Sequence, residues 1–192
     1  MITILDYQAG NLHSLQNAIE RLGYTVQCTA DPELLRQAEK VIIPGVGHAA
    51  PAMAFLKENG LDTVICELTC PVLGICLGMQ LLTEFTEEGQ VSGLSVFEVS
   101  VKKLRGHLKI PHMGWNSVQY KPSKLFEGIP QEADFYFVHS YAATLGESSL
   151  ATCEYGASFS VALAKNNFYG VQFHPEKSGK WGQQLLQNFL AL

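Results

Sequence analysis

Apolar and polar positions alternate between two rhythms in the first ninety residues. Ile2–Leu5 is a short, almost continuous apolar run stopped by Asp6, the pattern of a buried strand. From Asn11 to Leu22 the apolar residues Leu12, Leu15, Ile19 and Leu22 recur at helical spacing, and Gly23 ends the pattern. Thr25–Thr29 predicts a second strand. Asp31-Pro32-Glu33 reads as helix N-cap, first-turn proline and acidic first turn. Val41–Ile43 predicts a third strand, broken by Pro44-Gly45. A helix is expected from about Pro51 to Lys57, a fourth strand at Val72–Ile75, and a helix from Leu77 to about Phe85. Strands alternating with helices across short loops imply an α/β fold, a parallel sheet with helices on both faces.

The second half changes character. Val96–Leu104, Ser117–Tyr120, Phe135–His139, Ala151–Tyr155, Ser160–Ala164 and Tyr169–Phe173 read as closely spaced strands, an additional antiparallel region. Asn166-Asn167 suits a tight hairpin turn. An amphipathic helix, Gly179–Leu190, closes the chain. No repeat, low-complexity linker or internal boundary is evident, so one domain over residues 1–192 is expected.

Composition narrows the classes. Apolar residues make up 47% of the chain and mean hydropathy is +0.08, enough for a proper core. Charged residues are only 16%, which fits a surface partly covered by a partner. A net charge of −5 and the absence of a basic tail leave no footprint for nucleic acid. The start has no basic signal-peptide region, and no apolar run suggests a membrane span. Five cysteines, Cys28, Cys66, Cys70, Cys76 and Cys153, lack the density of a disulfide framework; a cytoplasmic chain with reduced thiols is expected. Cys66 and Cys70 have no histidine partner at zinc spacing and read as packing residues; no metal or cofactor is expected.

Three segments carry candidate chemistry. In Gly74-Ile75-Cys76-Leu77-Gly78 a cysteine lies between a strand and a helix pattern, with glycines two places either side. A nucleophile on so sharp a turn needs small neighbours there, and the following helix N-terminus favours a thiolate. His174-Pro175-Glu176 follows the strand Tyr169–Phe173. A cysteine nucleophile wants a histidine base and a group to orient it, and open α/β sheets place such groups at adjacent strand ends. Pro44-Gly45-Val46-Gly47 follows the third strand and can supply one backbone donor to an oxyanion, near Val46 or Gly47. The other donor is the N–H of Leu77. Gly45 to Ala50 also fits a dinucleotide fingerprint, but it follows the third strand rather than the first and lacks the later acidic residue.

The segment GICLGMQ at 74–80 with His174-Pro175-Glu176 resembles the class I (triad) glutamine amidotransferases. Asp6-Tyr7 with Gly10-Asn11, PGVG at 44–47, PHMGWN at 111–116 and YFVHSY at 136–141 resemble, within that family, the glutaminase subunits serving histidine biosynthesis. The likeness runs from residue 5 to about 180. It implies an open, mostly parallel, flavodoxin-like sheet and L-glutamine as substrate. Cys76 would attack the side-chain amide, His174 would move the proton and Glu176 would orient His174. It further implies substrate contacts from Gln80, Glu88, Ser140 and Tyr141, with Gln80 one helical turn after Cys76. The implied partner is a cyclase subunit of (β/α)8-barrel type, forming a heterodimer and receiving ammonia through a tunnel. Met113, Trp115, Asn116, Tyr136 and Lys177 match family positions near that interface. An amidotransferase for another acceptor, such as anthranilate or pyridoxal phosphate synthesis, a silent regulatory subunit and an independent thiol hydrolase remain alternatives.

Overall fold

The computed structural model describes residues 1–8, 10 and 12–192. The first half runs β1 (Ile2–Leu5), α1 (His13–Glu20), β2 (Val26–Thr29), α2 (Pro32–Arg36), β3 (Lys40–Ile43), α3 (Ala49–Glu58), α4 (Leu61–Glu67), β4 (Val72–Ile75) and α5 (Leu77–Leu81). The predicted helix start at Asn11 lies outside the described residues. Asp31 caps α2 as expected, its carboxylate accepting from the Glu33 N–H at 2.8 Å.

The second half runs β5 (Thr83–Thr86), β6 (Val91–Ser92), β7 (Phe97–Lys103), β8 (His112–Tyr120), β9 (Ala133–His139), β10 (Tyr141–Ala143), β11 (Ser149–Glu154), β12 (Ser158–Lys165), β13 (Phe168–Val171) and α6 (Gly179–Ala191). The main sheet is ordered β2-β1-β3-β4-β13-β12-β10-β7-β5-β6. From β2 to β13 the neighbours are parallel; β12 then pairs antiparallel with β13, β10 and β11. β11 leads on to β8, and β8 to β9. This is the expected parallel sheet with an antiparallel extension. Asn166 turns the β12–β13 hairpin at φ 55°.

Alternation along the parallel strands sends side chains to two cores. Ile42, Leu73 and Ile75 meet α1 and α6 on one face; Val41, Ile43 and Val72 meet α2 to α5 on the other. Among the described residues no helix is long and apolar enough to cross a membrane.

Several elements depart from the sequence pattern. The helix expected from Leu77 to Phe85 stops at Leu81. Thr83 turns its hydroxyl onto the Gln80 carbonyl at 2.7 Å, and Thr83–Thr86 joins the sheet beside β7. A β-branched, aromatic run is better placed in a ladder than in a helix. The helix α4 was not anticipated. It carries Cys66 on its exposed side, and Cys70 lies half-buried in the bend beyond it, so Cys66 is not a packing residue. β8 begins at His112 rather than Ser117, because 112–118 pair in register with β9 from His112↔His139 to Val118↔Ala133.

Candidate functional site

Register decides what meets what. Ile75 on β4 pairs with Val171 on β13, and Ile43 on β3 pairs with Gly74. Three strands therefore release Pro44–Gly47, Cys76 and 172–174 at one sheet edge.

Cys76 sits at φ 50°, ψ −107°, a conformation that strains any residue with a Cβ. Its N–H donates to the Val171 carbonyl at 2.7 Å, and its carbonyl accepts from the Gln80 N–H at 3.2 Å. The flanking glycines are required by contact as well as by the turn. A Cβ on Gly74 would lie 2.6 Å from the Met79 nitrogen, and one on Gly78 would press into the Ile43 carbonyl. A Cβ on Gly45 would collide with the Ile75 carbonyl and Cys76. Gly45 thus lets the loop lie against the elbow.

His174 is buried beside Cys76 on the same cavity wall; its Nδ1 faces Glu176 Oε1 at 2.9 Å. Burial alone would lower the imidazole's pKa. The Cys76 sulfur and the Glu176 carboxylate, which favour its cation, outweigh it and raise it to about 9. The other four thiols are held protonated: burial raises Cys28, Cys66 and Cys70, and takes Cys153 to about 12.

A cavity of about 230 Å³ opens beside this line of groups. Val46, Gly47 and Leu77 border it together with Cys76 and His174; Gln80, Glu88, Ser140, Tyr141 and Lys177 form the rest of the wall named by the sequence. Glu88 is partly committed, Oε2 accepting from the Ala49 N–H at 3.0 Å. The carbonyls of Ser140 and Tyr141 are also taken, by Leu104 N–H at 2.9 Å and by Gln80 at 3.0 Å. The loop 44–47 is anchored at its start by the buried Tyr7 hydroxyl, which donates to the Pro44 carbonyl at 2.6 Å. Gly47 stands at φ 122°.

Met113 and Trp115 do not reach the cavity. They stand outward on β8, 62% and 58% exposed, and Trp115 packs edge-on to the ring of Tyr136 on β9. Asn116 directs its amide nitrogen at three acceptors that share its two hydrogens, Cys153 Sγ and the Glu154 carbonyl at 3.0 Å and His112 Nε2 at 3.3 Å.

Five further polar residues bind the site together: Tyr7, His112 and His139 lie in the quoted motifs without an assigned role, and Gln172 and Ser178 lie outside them. Gln172 donates to Cys76 Sγ at 3.4 Å. Ser178 bridges β9 to the His-Pro-Glu turn, and Tyr7 holds the loop. His112 and His139 form a buried pair, nitrogen to nitrogen at 2.9 Å. For Gln172 the available signal was a polar side chain inside an apolar run, Val171-Gln172-Phe173. The α5 helix has five residues, too short for the strong helix field expected at the cysteine.

The class-I glutamine amidotransferase family model matches residues 3–192. Relatives named imidazole glycerol phosphate synthase subunit HisH include one from Haemophilus influenzae, 52% identical, covering 98% of this chain and 96% of that one. Others are from Moorella thermoacetica, 50% identical with 98% and 93% covered, and Bacteroides fragilis, 48% identical with 100% and 99% covered. Among solved structures, one titled glutamine amidotransferase matches with a TM-score of 0.75 at 20% identity, covering 99% of this chain and 97% of its own. A glutamine amidotransferase from Thermotoga maritima matches with a TM-score of 0.67 at 18% identity, covering 99% and 82%.

Proposed function

The chain belongs to the class-I glutamine amidotransferase family, and on that premise we propose that it is the glutaminase subunit of an imidazole glycerol phosphate synthase. The observation that carries this reading is Cys76 and His174 on the wall of one cavity with Gln80 beside them, and Glu176 behind the imidazole at 2.9 Å from its Nδ1. Cys76 attacks the side-chain carbonyl of L-glutamine. His174 receives the thiol proton and passes it to the departing ammonia; Glu176 holds the imidazole in place and stabilises its cation. The tetrahedral oxyanion is met by the Leu77 N–H and by a donor from Val46 or Gly47. Water, deprotonated by His174, then cleaves the glutamyl thioester, releasing glutamate and the free thiol.

Gln80, Glu88, Ser140 and Tyr141 seat the substrate. Ser140 and Tyr141 can offer an α-carboxylate their N–H and hydroxyl donors. Ammonia released into water at neutral pH would be protonated and no longer nucleophilic. The reading therefore includes a cyclase partner of (β/α)8-barrel type, docked over Met113, Trp115, Asn116, Tyr136 and Lys177. The partner consumes ammonia and a phosphoribulosyl-formimino aminoimidazole carboxamide ribotide, giving imidazole glycerol phosphate and aminoimidazole carboxamide ribotide. The loop Pro44–Gly47, tethered at one end and glycine-flexible around Val46, is where the partner would set the second oxyanion donor.

Glutamine turnover is measured for the purified chain, alone and with the cyclase and its ribotide. The free chain is expected to be slow and the liganded complex fast, by about 10²–10³, the usual worth of one oxyanion donor. Cys76→Ala abolishes glutamine-dependent synthesis while ammonia-dependent synthesis by the complex persists. Normal glutamine turnover by Cys76→Ala would remove this site from the reaction. Equal kcat with and without the liganded partner would remove the switch.

A further inference from the structure

Gln172 is fully buried and lies two residues before His174. Its Nε2 donates to Cys76 Sγ at 3.4 Å, and its Oε1 accepts from Gln80 Nε2 at 2.8 Å. These are the last links of a continuous chain whose donor sense can be derived from its middle. The Tyr141 carbonyl can only accept, so the His139 Nδ1 beside it at 2.7 Å carries a proton. A neutral His139 then presents Nε2 as acceptor, and His112 donates to it from Nδ1 at 2.9 Å. His112 Nε2 in turn accepts from Asn116 Nδ2 at 3.3 Å.

The same carbonyl fixes the glutamines. Gln80 gives one amide hydrogen to Tyr141 and the other to Gln172, so only its Oε1 is left for the cavity. Reversing Gln172 would set its oxygen against the sulfur and its NH2 against that of Gln80. Its N–H is therefore aimed at Sγ by the network.

We propose that Gln172 is a further catalytic residue, whose N–H stabilises negative charge on Cys76 Sγ while its carbonyl pins Gln80 with Oε1 toward the substrate. The proposal rests on Cys76 being the nucleophile. Charge reaches the sulfur when His174 takes its proton, and again when the thioester breaks. A hydrogen bond to a charged, water-excluded acceptor is stronger than a neutral one. A primary amide suits this task because it neither takes a proton from the thiol nor competes with His174. The pinned Gln80 offers glutamine an acceptor, which matches an N–H of the substrate and would repel a carboxylate there.

The test uses the complex with its cyclase. Alkylation of Cys76 by iodoacetamide at fixed neutral pH is followed by mass of its peptide, beside glutaminase kcat and KM. Gln172→Leu removes the donor, and Gln172→Glu keeps the shape while turning a carboxylate on the sulfur. Both are expected to slow alkylation and kcat about 10- to 100-fold, the range of a charged hydrogen bond. A several-fold rise in KM is expected as Gln80 is released. Co-elution of each variant with the cyclase and a parent-like circular dichroism spectrum show that the subunit still folds and docks. Alkylation and kcat within twofold of the parent in a folded Gln172→Leu would overturn the assignment. If that variant does not fold, the same result in Gln172→Glu decides. Cys76→Ala separates the two levels. Glutamine turnover by it sinks the site reading and this proposal together, whereas an inert Cys76→Ala beside parent-like Gln172 variants sinks this proposal alone.

Discussion

Cys76 pairs a strained backbone with close neighbours, and each supports the other. The positive φ is held because the N–H is bonded to Val171 and because Gly74 and Gly78 let β4, α5 and the β3 carbonyl approach. Gly74→Ala would place a methyl 2.6–2.7 Å from the backbone of Met79 and Gly78. We expect it to cost about 2–3 kcal/mol by overpacking, read as a lower urea midpoint. The histidine pair gives a pH signature. Burial lowers His112 and His139 to about 4 each. Between about pH 6.5 and pH 4 the unfolded chain binds protons that the folded chain refuses, so stability falls as pH falls through that window. Thermal melts of the parent should drop by several degrees from pH 6.5 to 4.5, and His112→Gln should flatten the curve. An unchanged slope in His112→Gln would mean that this ring is not kept neutral by the fold.

At the scale of elements, the His-Pro-Glu segment is positioned by clamping rather than by length. Pro175–Lys177 is a single 3-10 turn, yet His174 N–H bonds the Tyr136 carbonyl at 2.9 Å. The buried Ser178 hydroxyl closes the clamp, accepting from Tyr136 N–H at 2.9 Å and donating to the His174 carbonyl at 2.7 Å. Ser178→Ala strands the Tyr136 N–H and takes one of two donors from the His174 carbonyl, which keeps the Lys177 N–H at 3.0 Å. The expected loss is about 1–3 kcal/mol of stability. Because the imidazole loses its fixed position, kcat should drop several-fold with little change in KM. Parent-like kcat in a destabilised Ser178→Ala would show the clamp to be structural only. α5 makes the complementary point. Once Thr83–Thr86 is claimed by β7, the helix behind the cysteine has one turn, and the groups that touch the sulfur are Gln172, just past β13, and the Val138 carbonyl of β9.

At the scale of the molecule, strand alternation leaves Met113 and Trp115 outward on β8, on a chain with few charges. An exposed Trp beside a half-buried Tyr is the composition of a binding hot spot. Trp115→Ala is expected to raise the Kd for the cyclase by about 30-fold or more, as hot-spot truncations do. Its melting temperature should stay near that of the parent, because the ring supports little of the core. Binding titration with unchanged Kd would move the interface elsewhere on the surface.

The local order of the parallel half was legible from the chain. Strand runs at 2–5, 41–43 and 72–75, the Asp31 cap and the glycines around Cys76 are dictated by neighbours within a few residues. Candidate residues at strand ends could be named for the same reason, since parallel strands share a C-terminal edge. Where the pattern misled, a distant partner had intervened: β7 drew Thr83–Thr86 out of a helix, and β9 extended β8 back to His112. Tertiary structure alone decided which polar groups meet across long sequence gaps. Gln172 reaches Cys76 and Gln80, His112 meets His139, and Tyr7 reaches Pro44. Burial makes each such group find a partner, but which partner depends on strand register. Register is settled by packing the two faces of the whole sheet, and no single segment contains it.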